Sequence, residues 1–134
     1  MIHRPFPDTR MRRLRKHSWL RSLTQEHQLC TNDLILPLFV HAHTTSTPIA
    51  TLPGVVRHSL SDLVDTCKKA ADCGITAIAL FPVVDPQKKD ANGSEALRSD
   101  SLITQAIQII RQANLNIGII CDCALDPYTN HSHD

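Results

Sequence analysis

The stretch CDCALDPYTNHSHD, residues 121–134, concentrates side chains that bind metals or transfer protons. It holds two cysteines, two histidines and three aspartates. Thiolate and imidazole ligands suit zinc, whereas carboxylate oxygens suit harder ions such as Mg²⁺. A structural zinc site usually has about two to four residues between paired cysteines. Cys121 and Cys123 have one residue between them, so a small zinc module is an alternative and not the favoured interpretation.

Three apolar runs predict the strands that would position this segment. They are LILPLFV at 34–40, ITAIALFPVV at 75–84 and IGIIC at 117–121. Short, continuously apolar runs are typical of strands that are covered on both faces of a parallel sheet. Pro37 has no main-chain N–H to donate, so we expect it at an edge or a bulge of its sheet.

Two helices are predicted between the three strands. Ser59, followed three residues later by Asp62, resembles a capping box, and apolar residues at helical spacing lead to Gly74, a natural residue after a helix end. Ser99 or Asp100 is expected to cap the second helix.

The alternation of strands and helices predicts an α/β fold with parallel strand pairing and right-handed crossovers. It fits an open doubly wound sheet or the first part of a (β/α)₈ barrel. No G-x-G-x-x-G motif follows any strand, which argues against dinucleotide binding. In a parallel α/β fold the chemistry gathers where strands end, which is where residues 121–134 begin.

Composition narrows the functional classes. The chain of 134 residues has 42% hydrophobic residues and a formal net charge of +1, which argues against a dedicated nucleic-acid binder. No apolar run reaches the roughly 18 residues that a membrane span needs. Five cysteines, an odd number, fit reduced thiols in a cytoplasmic protein. Seven of the 14 Lys and Arg residues lie between Arg4 and Arg21, which makes residues 1–33 a basic arm.

Six sequence blocks occur in the order seen in one enzyme family. They are RMRRLRKHSWLRSL, DLILPLFV, LPGV, ALFPV, KDANGSEA and DCALDPYTNHSHD. Together they resemble porphobilinogen synthase, also called 5-aminolevulinate dehydratase. The resemblance implies an α/β TIM barrel, of which residues 34–134 would form the first three strands and two helices. It also implies that residues 1–33 are an oligomerisation arm that wraps a neighbouring subunit in a homo-oligomer, commonly an octamer.

The resemblance further implies a reaction and a set of site residues. Family members condense two 5-aminolevulinate molecules to porphobilinogen in tetrapyrrole (haem) biosynthesis. Asp122 matches an aspartate that supports a substrate amino group. Ala124, Asp126 and Asp134 stand where zinc-dependent members have three cysteines. The carboxylates of Asp126 and Asp134 therefore predict weak, magnesium-type binding and argue against zinc.

The two lysines with which the family forms Schiff bases would lie beyond residue 134, so the 134-residue chain alone is expected to be inactive. The competing hypothesis is a truncated, catalytically inactive remnant.

For the remaining reactive side chains we favour structural over functional interpretations. We expect exposed loop histidines at 41, 43, 131 and 133, small buried cysteines at 67 and 73, and solvated loop charges at Lys88 and Lys89.

Overall fold

A computed structural model describes residues 5–133 of the chain. Among them, none of the helices is long and apolar enough to cross a membrane. The elements are, in chain order, α1 (Ser18–Thr24), β1 (Ile35–His41), β2 (Thr47–Pro48), β3 (Val56–His58), α2 (Leu60–Asp72), β4 (Ala77–Val83), α3 (Leu102–Gln112) and β5 (Gly118–Cys121).

The five strands form one mixed sheet in the order β2-β3-β1-β4-β5. β1 pairs in parallel with β4 along its whole length, and β4 pairs in parallel with β5. β3 is also parallel to β1, and β2 is antiparallel to β3. The α/β class, the parallel pairing and all three predicted strands are confirmed, with strand ends that differ from the prediction by one or two residues.

Helices α2 and α3 cover one face of the sheet and form the core with it. The buried residues of this core are Leu38, Val40, Leu63, Cys67, Ile78, Leu80, Ala106 and Ile110. Burying a large aliphatic side chain stabilises a fold by about 1.5–3 kcal/mol, so this layer holds the helices against the strands.

Capping residues set where the two helices begin. The side chain of Ser59 accepts a hydrogen bond from the N–H of Asp62, as predicted for α2. The N–H of Ser59 donates to the Ser46 hydroxyl over 3.0 Å, so Ser46 replaces the acid that would complete a capping box. For α3 the prediction of Ser99 or Asp100 is wrong. Ser101 is the cap, and it accepts from the N–H of Thr104.

A small hairpin follows β1 and is not among the three predicted strands. Its strands β2 and β3 are two and three residues long. Ile49 closes their connection, because its N–H donates to the carbonyl of Val55 over 2.9 Å and its side chain is buried. Strands this short carry no hydrophobic period that a sequence could reveal.

The position of Pro37 agrees with its missing N–H. β3 pairs with β1 only at Phe39 and Val40, so at Pro37 the sheet continues on one side only, through Ala79 of β4. The expectation of an edge position is confirmed locally, although β1 is otherwise central in the sheet.

The N-terminal arm contains α1 and short helical turns, and no side chain within these helical elements is buried. Trp19 and Leu23 of α1 are 63% and 75% exposed, so they do not pack within this chain. The arm meets the barrel segment at the carboxyl end of α2, where Thr31 lies against Gly74. Its role in oligomerisation remains a prediction.

Candidate active site at the carboxyl edge of the sheet

The alternation of side chains along the strands defines two faces of the sheet. Leu38, Leu80 and Cys121 pair in register and face the helices. The alternate residues therefore point to the opposite face, which we call the inner face. Phe39 and Phe81 lie side by side on the inner face, with ring centroids 5.7 Å apart. We expect the barrel that the family resemblance implies to close around this inner face.

Asp122 follows Cys121 at the carboxyl end of β5. Since Cys121 faces the helices, alternation directs Asp122 toward the inner face, and its side chain is exposed. A solvated carboxylate at the end of a barrel strand is well placed to accept a hydrogen bond from a substrate ammonium group. The predicted placement of Asp122 at this edge is confirmed; its catalytic role is a prediction.

The segment after Asp122 is tied to the loop after β4. The N–H of Asn130 donates to the carbonyl of Asp90 over 3.0 Å, and Thr129 forms an isolated parallel bridge with Asp90. The side chain of Asp90 accepts from the N–H groups of Ser94 and Asn92 at 3.0 and 2.9 Å. These bonds, that from Ser94 foremost, lower the pKa of Asp90. Asp90 thus fixes the shape of its own loop and the position of residues 128–130.

A buried carboxylate, Glu95, lies in the same loop. It is 9% exposed and forms ion pairs with Lys88 at 3.4 Å and Arg98 at 3.5 Å. Arg98 in turn pairs with Asp100 at 2.7 Å, and that pairing lowers the pKa of Asp100. A carboxylate that is largely removed from water needs such partners, which explains why two cations converge on Glu95.

Tyr128 is a buried aromatic side chain in the segment that follows β5. It is 8% exposed and lines a cavity of about 60 Å³ together with Val84, Glu95 and Leu102. Burial, and then the neighbouring Cys121 and Glu95, raise the pKa of the Tyr128 hydroxyl, so it remains a neutral hydrogen-bonding group at physiological pH. No signal in the sequence marks Glu95 and Tyr128 as buried, because both lie in loop-like sequence that predicts exposure.

The histidine predictions are partly wrong. His43, His131 and His133 are exposed as expected. His41 is 3% exposed, because it still belongs to β1 and is covered by the chain that follows. Burial lowers the pKa of His41, and His43, 4.9 Å away between ring centroids, lowers it further.

The cysteine predictions are also partly right and partly wrong. Cys67 is fully buried, and burial raises its pKa to about 11, which makes it an inert core residue. Cys73 is exposed, contrary to expectation, because it caps the end of α2 outside the helix layer. Cys121 packs against the core, and burial raises its pKa as well.

All five lysines lie within the described residues, and none is buried. Lys16, Lys68, Lys69 and Lys88 are exposed, and Lys89 is half-buried. A Schiff-base lysine needs a desolvated amine with a lowered pKa. The interpretation of Lys88 as a largely solvated loop charge is confirmed, with the addition of its ion pair to Glu95.

The predicted metal ligands are only partly visible. Asp126 is exposed and Ala124 is half-buried, in the loop that begins after β5. Asp134 lies outside the described residues. Within residues 5–133 there is no group of three or more His, Cys, Asp or Glu side chains that could hold a metal ion. Metal binding by Asp126 with Asp134 therefore stays a prediction.

Comparison with known proteins identifies the family to which this arrangement belongs. The sequence profile of the family described as delta-aminolevulinic acid dehydratase matches residues 8–134. The chain belongs to this family. A delta-aminolevulinic acid dehydratase of Bradyrhizobium diazoefficiens is 43% identical over 126 residues, which cover 93% of this chain and 36% of that protein. One from Methanothermus sociabilis is 39% identical, covering 96% of this chain and 39% of that protein.

A solved structure agrees with the sequence relatives. The porphobilinogen synthase of Toxoplasma gondii, determined in complex with the reaction product porphobilinogen, superposes with a TM-score of 0.84 at 40% identity. The match covers 90% of this chain and 34% of the Toxoplasma chain. The chain thus spans about a third of the length of the relatives it matches, and its fold is the corresponding part of a TIM barrel.

Proposed function

We propose that this chain forms the first part of a site that condenses two 5-aminolevulinate molecules to porphobilinogen in haem biosynthesis. The observation that supports this most directly is the superposition, over 90% of the chain, on a relative whose structure contains porphobilinogen. The carboxyl edge of the sheet, with Asp122 directed to the inner face, is where a parallel barrel assembles its chemistry.

In this proposal Asp122 accepts a hydrogen bond from a substrate amino group and supports its charge. The family's covalent step is the addition of a lysine amine to a substrate ketone, which loses water and leaves an imine. The five lysines of this chain are exposed or half-buried, which does not favour the neutral amine that attacks. We therefore assign the Schiff-base lysines to the part of the family barrel that follows residue 134.

The proposed metal preference rests on the donor atoms. Alanine at 124 and aspartate at 126 and 134 offer no thiolate, so the position favours a hard ion such as Mg²⁺ over Zn²⁺. Such an ion, when bound, would supply positive charge for substrate oxygens, with Asp126 and Asp134 as its protein ligands. Equilibrium dialysis that finds one tightly held Zn²⁺ per chain, lost on Asp126→Ala, would contradict this assignment.

The proposed assembly is a homo-oligomer, octameric in keeping with the family resemblance, in which the arm lies on a neighbouring subunit. The exposed Trp19 and Leu23 and the exposed basic side chains of residues 10–21 support an intermolecular role, because these groups have little to pack against within the described chain. The five free cysteines favour a reducing compartment such as the cytoplasm.

The test of the proposed function uses a full-length protein that contains residues 1–134. Asp122→Asn should lower kcat by about a hundredfold or more, because a neutral amide cannot support the substrate ammonium. The matched control is Asp65→Asn, an exposed carboxylate on α2, which should leave kcat unchanged. Equal activity in both variants would refute the role of Asp122.

The same full-length protein also tests the competing hypothesis that the chain is part of an inactive remnant. Borohydride reduction in the presence of 5-aminolevulinate should add substrate mass to full-length protein and none to residues 1–134 alone. A mass shift mapped to any of the five lysines of this chain would contradict the assignment of the nucleophiles. Failure of the full-length protein to trap substrate or to form porphobilinogen would favour the inactive remnant.

A further inference from the structure

His41 is unusual among the polar side chains of residues 5–133. It is 3% exposed, and its Nε2 atom is the one buried side-chain nitrogen or oxygen in this range without a hydrogen-bond partner. A buried polar atom without a partner costs free energy, and a native protein usually retains one where a ligand, an ion or a partner group satisfies it. His41 ends β1 at the same carboxyl edge as Asp122.

The side chain of His43 lies next to that of His41. Its ring meets that of His41 edge-on, at 75° and with 4.9 Å between centroids. A first-row ion binds an imidazole nitrogen at about 2.1 Å, so two rings with centroids 4.9 Å apart are close enough to share one ion. The His43 ring is exposed and is able to turn a nitrogen toward an ion bound to His41.

We propose that His41 and His43 form a two-histidine site for a first-row transition ion of the class that imidazole prefers, with water completing the coordination. Residues 5–133 contain no group of three or more metal-binding side chains, so two protein ligands define the site. The site differs from the carboxylate position at 126 and 134 in its donor atoms and in the strand that carries it. Nitrogen donors select Ni²⁺, Cu²⁺ or Zn²⁺ over Mg²⁺.

The charges around His41 favour the form that binds a metal. Burial lowers the pKa of His41, and the nearby His43 and Arg57 lower it further, against an opposing effect of the Thr45 main chain. His58 lies nearby as well, and His41 contributes to lowering the pKa of His58, with burial as the main cause. A ring held neutral at pH 7 keeps a lone pair for a metal, and protons compete with the metal less than they would at an exposed histidine.

The other His-x-His pair of the chain provides a contrast. His131 and His133 stack at 17° with centroids 6.2 Å apart, and both are exposed. Neither has a buried atom without a partner. Because exposed imidazoles also bind ions weakly, the test is best made in a chain in which both are replaced by alanine.

The experiment is a calorimetric titration of the 134-residue H3A/H131A/H133A chain with Ni²⁺, which does not oxidise thiols as Cu²⁺ does; His3 is also replaced because an amino terminus with histidine at the third position binds Ni²⁺ by itself. We expect one Ni²⁺ per chain, weakened at least about tenfold by His43→Ala and by His41→Ala, and unchanged by His27→Ala in the arm. Circular dichroism checks folding, and the exposed His43→Ala variant keeps the test valid if His41→Ala unfolds. No binding at pH 7.5, or binding that survives His43→Ala, would overturn the proposal.

Discussion

The main-chain N–H of Asn130 donates to the carbonyl of Asp90 over 3.0 Å and joins the two loops at the carboxyl edge of the sheet. Residue 90 follows β4 and residue 130 follows β5, so the bond couples the ends of neighbouring strands. Anything that loosens the Asp90 loop should therefore also loosen the segment that carries Asp126 and Tyr128.

Asp90→Ala should increase amide exchange at Asn92, Ser94 and Asn130 severalfold, because it removes the acceptor of two N–H bonds. Asp90→Asn keeps an acceptor oxygen and should show a smaller effect. Hydrogen exchange followed by NMR measures both variants, with Asp65→Ala on α2 as the control.

The pH dependence of this loop has a definite sign. The pKa of Asp90 is lowered in the folded chain, so its contribution to stability is present above the unfolded pKa of about 3.9 and lost as pH falls through the lower folded value. The protection factor of the Ser94 amide, which is its intrinsic exchange rate at each pH divided by the observed rate, should therefore fall on acidification in the parent and stay flat in Asp90→Asn. Equal profiles would contradict this account of the loop.

Gly74→Ala should destabilise the chain more than Gly54→Ala. Both glycines have φ of +82°, which costs an alanine about 1 kcal/mol. A Cβ at Gly54 meets nothing within 4 Å, whereas one at Gly74 would lie 2.7 Å from Thr31 Oγ1. We expect an unfolding free energy lower by about 1 kcal/mol for Gly54→Ala and by about 2 kcal/mol or more for Gly74→Ala.

Urea denaturation measures the difference between the two glycine variants. Adding Thr31→Ala to Gly74→Ala should recover the steric part of the loss and leave the part due to the positive φ. Equal losses at the two glycines would mean that the arm does not pack against the end of α2.

Ser101→Ala should lower the unfolding free energy by about 1 kcal/mol, because it removes the N-cap of α3. Ser99→Ala is the matched control, since Ser99 is exposed and outside the cap; its effect should stay within about 0.5 kcal/mol. Thermal unfolding followed by circular dichroism compares them. A larger loss of unfolding free energy for Ser99→Ala than for Ser101→Ala would support Ser99 as the cap of α3, as the sequence suggested.

The inner face should drive self-association of the 134-residue chain. Phe81 and Ile120 are 36% and 44% exposed there, beside further apolar residues of the same strands. Replacing either by serine should reduce the concentration-dependent increase in sedimentation coefficient. Leu97→Ser serves as control, because Leu97 is 87% exposed but lies in the loop after β4. An unchanged dependence in Phe81→Ser and Ile120→Ser would exclude the inner face as the associating surface.

The sequence by itself determined the elements whose signals are local or periodic. The apolar runs placed β1, β4 and β5, and helical spacing with Ser59 and Gly74 placed α2. The sequence reveals these signals because each of them depends only on residues that lie close together along the chain. The order of the six sequence blocks identified the family. The position of Asp122 directly after the third apolar run placed it at a strand end.

Only the tertiary structure decided which loop side chains lose contact with water. Glu95 and Tyr128 are buried and line one cavity although 33 positions separate them, and the bond between Asp90 and Asn130 spans forty positions. Burial of a loop residue depends on how loops fold over one another, and no local period records it. The β2–β3 hairpin could not be predicted for the same reason. Nor does the His-x-His sequence at 41–43 reveal that one imidazole is buried and the other exposed.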